Sequence, residues 1–411
     1  MSGMMQYLSD LIHAQLEYKV PDGIPENINL EELVEAANKN HMDNLILGAL
    51  LKSDLAEEER LRIKFLVMQG TIKSMTQLAC LRELEERFEK KEIYHQELKG
   101  SVLKYLYPAP ELREMSDIDI MIYDESLNRA KKEVEDMGFT LHKSVKHHDI
   151  YIKLPLLVIE LHHALYDRDV DRTQYEYFKD EKELEAKEGK KYALQFNTED
   201  FYVYLIAHMA KHFYETGCGI RNIVDVYYYR KLYEETWDET AITKEIKKCG
   251  LTEFENRIHT LAAVWLGGRQ PDLFSTVLFN YMMECGIYGK GENGIWGQFA
   301  VRNKNNRVND KCNTVHGASC LAIGNKNNRA SDKSYVRRWY YFPPKAYMEN
   351  DYPWLKKRPY LLAAAWGIRA VHGLFSKAGR EKRKMLLNIK NEDVRTISGI
   401  YKGMGLNFKK E

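Results

Sequence analysis

The chain has 411 residues, with 61 basic against 60 acidic side chains, a formal net charge of +1 and 44% hydrophobic residues. That length predicts two or three domains rather than one core. The charge balance excludes a protein that holds bulk nucleic acid by electrostatics alone. No apolar run approaches the roughly 20 residues of a membrane span. The start, Met1-Ser2-Gly3-Met4-Met5-Gln6-Tyr7, has no basic segment and no long apolar core, so no signal peptide is expected. A cytoplasmic location follows as an expectation, in which Cys80, Cys218, Cys249, Cys285, Cys312 and Cys320 are reduced thiols.

Residues 1–91 read as an N-terminal helical region. Asn29-Leu30-Glu31-Glu32-Leu33-Val34 begins one helix, and Asp54 with Glu57 resembles a capping box that begins another. This second helix is predicted over about 57–91. Leu61, Phe65, Met68, Ile72 and Met75 recur at three- and four-residue steps, and Leu78, Leu81, Leu84 and Phe88 continue the stripe. The whole stripe is expected to pack on the sheet that follows, with a partner-helix or coiled-coil role as the alternative.

Residues 92–197 read as a small sheet with short helices. A strand over 93–98 meets Gly100-Ser101, and a short helix follows. Glycine lets the backbone approach a phosphate, and a hydroxyl with free N–H groups at a helix start can hold anionic oxygens. An ordinary strand-to-helix turn would look the same. A proline-rich loop over 107–116 leads into Met115-Ser116-Asp117-Ile118-Asp119-Ile120-Met121-Ile122, a strand predicted over 117–123. Alternation turns Ile118, Ile120 and Ile122 to one face and sets Asp117 and Asp119 together on the other. Two carboxylates so close repel unless a cation lies between them, which suits a hard divalent ion such as Mg²⁺. A solvated strand edge is the plain alternative. A helix over 126–137 stops at Gly138, and strands are predicted near 139–145, 149–154 and 156–162. In the last of these, Leu157, Ile159 and Leu161 toward the core would leave Glu160 and His162 toward a cleft. Glu160 is then a candidate third carboxylate.

Residues 198–300 read as a further helical region. Asn197 or Thr198 would cap a helix carrying His208, Lys211 and His212, the two histidines four apart on one face. A zinc pair there lacks the glutamate of the metalloprotease helix motif, and histidines of the core or surface fit equally. Arg221 begins another helix and is expected to pair with Asp225 four residues on. Residues 301–338 form a polar insertion in which Asn303-Lys304-Asn305-Asn306-Arg307 is echoed 22 residues later by Asn325-Lys326-Asn327-Asn328-Arg329. Two copies are too few for a repeat fold. Cys312, His316 and Cys320 within it are three possible zinc ligands without a fourth. Residues 339–411 read as a C-terminal helical region with a helix near 360–374, followed by the basic cluster Lys377, Arg380, Lys382, Arg383 and Lys384.

Gly100-Ser101, Asp117-Ile118-Asp119 and the distant Glu160 together resemble the nucleotidyltransferase superfamily built on a polymerase-beta-like core. More narrowly, the chain resembles the bacterial group described as uncharacterised nucleotidyltransferases. The residues that carry this are Leu98-Lys99-Gly100, Tyr107-Pro108-Ala109-Pro110, Arg113, Ser116-Asp117-Ile118-Asp119, Gly138-Phe139 and Glu160-Leu161-His162. Softer matches are His208-Met209-Ala210-Lys211-His212, Arg221 with Asp225, Phe342-Pro343-Pro344, and Tyr352-Pro353 to Arg358-Pro359, so that the resemblance touches roughly residues 95–370. The fifteen residues between Ser101 and Asp117 slightly exceed the superfamily's common spacing.

The resemblance implies an α+β fold, a small mixed β-sheet nucleotidyltransferase core flanked by N-terminal and C-terminal helical regions. It implies Mg²⁺-dependent transfer of a nucleoside monophosphate from a nucleoside triphosphate to a hydroxyl-type acceptor, with release of pyrophosphate. Asp117, Asp119 and Glu160 would hold two ions at the reacting phosphate. Lys99, Gly100, Ser101 and Arg113 would meet the triphosphate, and His208, Lys211 and His212 would line the nucleotide cleft. Two other readings compete. One is a degenerate fold serving as a nucleotide-binding or toxin–antitoxin partner, against which the retained three carboxylates count. The other is a glycosyltransferase of the Asp-x-Asp class, in which a larger nucleotide-binding region precedes the motif than the short stretch 92–116 found here.

Overall fold

The computed structural model describes residues 3–291 apart from 124–125, 146, 169–171 and 180–183, then 293–294, 296–297, 338, 340–343, 345, 348–349, 352–376, 379 and 391–406. The polar insertion with its cysteines and the basic cluster at 377–384 lie almost wholly outside the described residues. The chain divides into two units, one of residues 1–213, 218–289 and 406–411, the other of residues 214–217 and 290–405. No helix among the described residues is long and apolar enough to cross a membrane.

The first unit opens with helices α1 (Gly3–Leu16), α2 (Leu30–Lys39) and α3 (Glu57–Lys90). Asn29 caps α2 by accepting from the Glu31 N–H at 2.7 Å. At α3 the capping contact sits two residues later than the sequence suggests: Glu59 reaches back to the Ala56 N–H at 3.3 Å. The sheet follows, with β1 (His95–Glu97), the one-turn helix α4 (Gly100–Leu103), β2 (Ile118–Ile122) and helix α5 (Leu127–Asp136). Next come β3 (Thr140–Ser144), β4 (His148–Lys153), β5 (Leu157–His162) and helix α6 (Arg172–Phe178). Two short strands, β6 (Glu185–Ala186) and β7 (Ala193–Gln195), complete a seven-stranded mixed sheet in the order β3-β4-β5-β2-β1-β7-β6. β2 runs parallel to β5, and β1 parallel to β7.

One face of this sheet is the core. Ile118, Ile120 and Ile122 of β2 pack with Ile159 and Leu161 of β5 and Tyr151 of β4, against Leu81, Leu84 and Phe88 of α3 and Ala130 and Val134 of α5. The apolar stripe of α3 is only half used. Leu61, Phe65 and Ile72 are 59%, 54% and 52% exposed, and Met68 and Met75 are equally open. The helix turns the opposite side inward, where Ile63, Ser74 and Gln77 are buried. Gly70 lies there against Asn44, where a Cβ would stand 2.6 Å from the amide oxygen. Asn44 in turn donates to Thr71 Oγ1 at 3.2 Å and the Glu111 carbonyl at 2.9 Å. A polar, close-fitting contact therefore decides the orientation where periodicity pointed to the wrong face.

Helices follow: α7 (Thr198–Thr216), whose last three residues belong to the second unit, α8 (Arg221–Tyr233), α9 (Glu239–Lys248), α10 (Thr252–Trp265) and α11 (Leu273–Cys285). Asn197 caps α7 by accepting from the Asp200 N–H at 2.7 Å. The second unit contains α12 (Leu362–Phe375) and α13 (Asn391–Gly403). There Met348, Leu355 and Ala365 form a small buried cluster under Tyr352, Trp354, Leu361, Leu362 and Trp366.

Candidate active site

The face of the sheet opposite the isoleucines carries the chemistry. In the parallel pair β2–β5, Asp119 is the register partner of Glu160. In the antiparallel pair β4–β5, Ile150 lies opposite Glu160 and His148 opposite His162. Since Ile159 and Leu161 enter the core, alternation turns Glu160 and His162 to the same side as Asp119. Asp117, one residue before β2, joins them.

A tight turn delivers a cation to this group. The Leu98 carbonyl accepts from the Ser101 N–H at 3.1 Å, and Lys99 within the turn has φ +48° and ψ −118°. A side chain at positive φ is strained by about 1–3 kcal/mol and persists where its surroundings over-determine it. Here the Lys99 ammonium donates to Asp119 Oδ1 at 2.7 Å. His162 Nε2 meets the same oxygen at 2.8 Å and stands 3.4 Å from Glu160 Oε2. His148 Nε2 is 3.6 Å from that glutamate oxygen.

Electrostatics separates the three acids. Burial alone would raise Asp119, but the Lys99 charge and the His162 bond hold its carboxyl below the usual range. Asp117 moves the other way: burial, then the neighbouring Asp119 and Glu160 charges, raise its carboxyl far above the usual range against the pull of Lys99 and Arg221. Burial works against the Lys99 charge, yet Asp119, Asp117 and Glu160 raise its pKa. Oxygen donors on a sheet with negative charge left over suit a hard divalent cation.

Gly100 and Ser101 sit in the turn beside Asp119. A Cβ on Gly100 would fall 2.7 Å from Arg113 Nη1 and 3.1 Å from Met115 Cβ, so the glycine is explained by side-chain packing. Ser101 is buried, and its Oγ has no hydrogen-bond partner among the described residues. Arg113 does not point at the carboxylates. It donates from Nη2 to Asp225 Oδ2 at 2.8 Å and from Nε to Asp225 Oδ1 at 3.2 Å, and Tyr107 OH donates to the same carboxylate at 2.9 Å. The expected Arg221–Asp225 pair is thus replaced by a pair 112 residues apart. Arg221 instead donates to the Glu114 carbonyl at 2.8 Å, and its buried Nε has no partner among the described residues. Arg221 also acts on Asp117 electrostatically.

α7 brings the residues that sequence placed on one helix face. Lys211 Nζ lies 3.4 Å from His147 Nε2. His208 and His212 stack edge to face at 4.3 Å. Burial, then the charges of Lys99, His212, Lys211 and His162, hold His208 well below the usual histidine pKa. Burial and Lys211 push His147 down to about 3. The histidines at 147 and 148 are the part sequence reasoning missed. Their signal was the strand pairing that sets His148 opposite His162, which no local spacing reveals.

A family model described as "Uncharacterised nucleotidyltransferase" matches residues 26–267. No curated protein and no solved structure matches the chain.

Proposed function

Because the chain belongs to the uncharacterised nucleotidyltransferase family, we propose that it moves a nucleoside monophosphate from a nucleoside triphosphate to a hydroxyl-type acceptor and releases pyrophosphate. The observation that carries this reading is the register pairing of Asp119 with Glu160, with Asp117 on the same side. Asp117, Asp119 and Glu160 would hold magnesium, two ions in all. Magnesium bound there supplies charge stabilisation at the transferring phosphate and lowers the pKa of the acceptor hydroxyl.

The protein's own groups then position and neutralise, which is most of what phosphoryl chemistry asks of an enzyme. Lys99 keeps Asp119 ionised. Arg221 Nε and the Ser101 hydroxyl, both without a hydrogen-bond partner among the described residues, offer donors to phosphate oxygens. His208, Lys211 and His212 on α7 line the nucleotide side. Arg113 contributes indirectly: clamped to Asp225, it braces Gly100 and so the Lys99 turn. The acceptor oxygen bonds to the α-phosphorus as the bond to pyrophosphate breaks, and the acceptor proton leaves to water.

The Lys99–Asp119 pair also suits a second reading, a non-catalytic nucleotide-binding protein whose lysine occupies the place of an ion. Incubation with Mg²⁺ and each labelled triphosphate in a cell extract, followed by mass spectrometry, separates the two. Transfer is expected with the wild type and absent from the Asp117→Asn/Asp119→Asn variant. Equal transfer by that variant would refute the assignment, and nucleotide binding without any transfer would favour the second reading.

A further inference from the structure

Beside the three acids lies a cluster of different chemistry. His148, Glu160 and His162 each offer a ligand atom, and these atoms lie within 4.8 Å of one another. Glu160 Oε2 is the hub, 3.6 Å from His148 Nε2 and 3.4 Å from His162 Nε2. Ligand atoms bonded at 2.0–2.2 Å to one tetrahedral ion stand about 3.4 Å apart, and the two histidine–glutamate distances are close to that. The residues come from two paired strands, whose register fixes their mutual positions before any ion binds.

A second observation points the same way. His162 is only 4% exposed. The Nδ1 atoms of His147, His148 and His162 are all buried with no hydrogen-bond partner among the described residues. Buried polar atoms are normally satisfied, so these Nδ1 atoms leave the patch short of polar partners, while the Nε2 atoms of His148 and His162 are the ones that face Glu160. The rings of His148 and His162 sit 4.9 Å apart at 32°. Asp119 Oδ1, 2.8 Å from His162 Nε2, is close enough to serve as a further oxygen donor.

We infer that His148, Glu160 and His162 form a site for one divalent transition-metal ion of the manganese, iron(II), cobalt and zinc class, sharing Glu160 with the carboxylates proposed for magnesium. Two imidazoles with a carboxylate favour such borderline ions, whereas magnesium takes oxygen ligands. The site stands whether or not the protein transfers nucleotides.

The test is a Co²⁺ titration of the full chain, stripped by chelator and held in excess Mg²⁺, followed by visible absorption. One equivalent is expected to bind with a ligand-field band that Mg²⁺ does not abolish. His148→Ala should weaken binding about tenfold or more with an unchanged circular-dichroism spectrum, whereas Asp117→Asn should keep the band. X-ray absorption on Co²⁺-loaded wild type needs no variant, and two imidazoles in the first coordination sphere are expected. No binding, sulfur ligands, absent imidazoles, or unchanged affinity in a folded His148→Ala variant would overturn the proposal. An imidazole-bound ion in a protein without transfer activity would leave this site standing and sink only the transferase reading.

Discussion

Lys99 donates to Asp119 at 2.7 Å from a backbone whose φ of +48° is foreign to lysine. The strain and the charge pair belong together: the turn is held in an unfavourable shape, and the ammonium it carries offsets one acid of a repelling set. Removing the ammonium while keeping the stem isolates the charge. Lys99→Met should destabilise the protein by about 3 kcal/mol, as expected when one partner of a buried pair is lost. Added Mg²⁺ should raise the melting temperature more in this variant than in the wild type, because the ion then has a vacant charge to meet. Equal shifts in both proteins, read by scanning fluorimetry, would count against the acids as a cation site.

The clamp behind the turn should behave as a structural unit. Arg113→Ala strips the buried Asp225 carboxyl of its guanidinium and leaves the Tyr107 hydroxyl as a donor, a loss of about 3–5 kcal/mol. Pairing it with Asp225→Asn should restore part of that loss, because no buried charge then stands alone. Urea denaturation of the four proteins gives the coupling. Additive losses would mean that the two side chains do not act as a pair.

What the sequence disclosed, and what it withheld, divides along physical lines. The strand carrying Asp119, with Asp117 one residue before it, was legible because a period of two forces every second residue to one face, and Glu160 followed by the same rule. β6 and β7 escaped notice because Glu185–Ala186 and Ala193–Gln195 are too short to show any alternation. The i,i+4 rule suggested Arg221 for Asp225, but Arg113 arrives from a distant loop with a better fork. His147 and His148 gain meaning only through the pairing of β4 with β5, a tertiary fact.

Helix α3 offers a direct check on that lesson, since Phe65 and Leu81 both fall on its three- and four-residue steps although sixteen residues set them on opposite sides of a straight helix. Phe65 is 54% exposed and Leu81 fully buried. Leu81→Ala should cost about 2–5 kcal/mol through lost burial and a cavity under β2. Phe65→Ser should change stability by no more than about 0.5 kcal/mol. Thermal or urea unfolding of both variants decides. A large loss on Phe65→Ser would mean that the outer stripe is covered after all.

Asp43 supplies a pH signature away from the proposed site. Burial, then the charge of Glu114, push its carboxyl up to about 7. Its Oδ2 accepts from Asn38 Nδ2 at 3.3 Å, and its buried Oδ1 has no partner among the described residues. An unfolded aspartate ionises near pH 4, so between about pH 4 and 7 the folded state binds the proton and the unfolded state does not. This group's contribution to stability is therefore complete below about pH 4 and is lost as pH rises to about 7. Asp43→Asn keeps the shape and carries no charge. Relative to the wild type it should gain on the order of 1–3 kcal/mol between pH 5 and pH 8. Urea midpoints of both proteins at the two pH values measure that gain, and a difference independent of pH would show that Asp43 is ionised in the folded protein throughout.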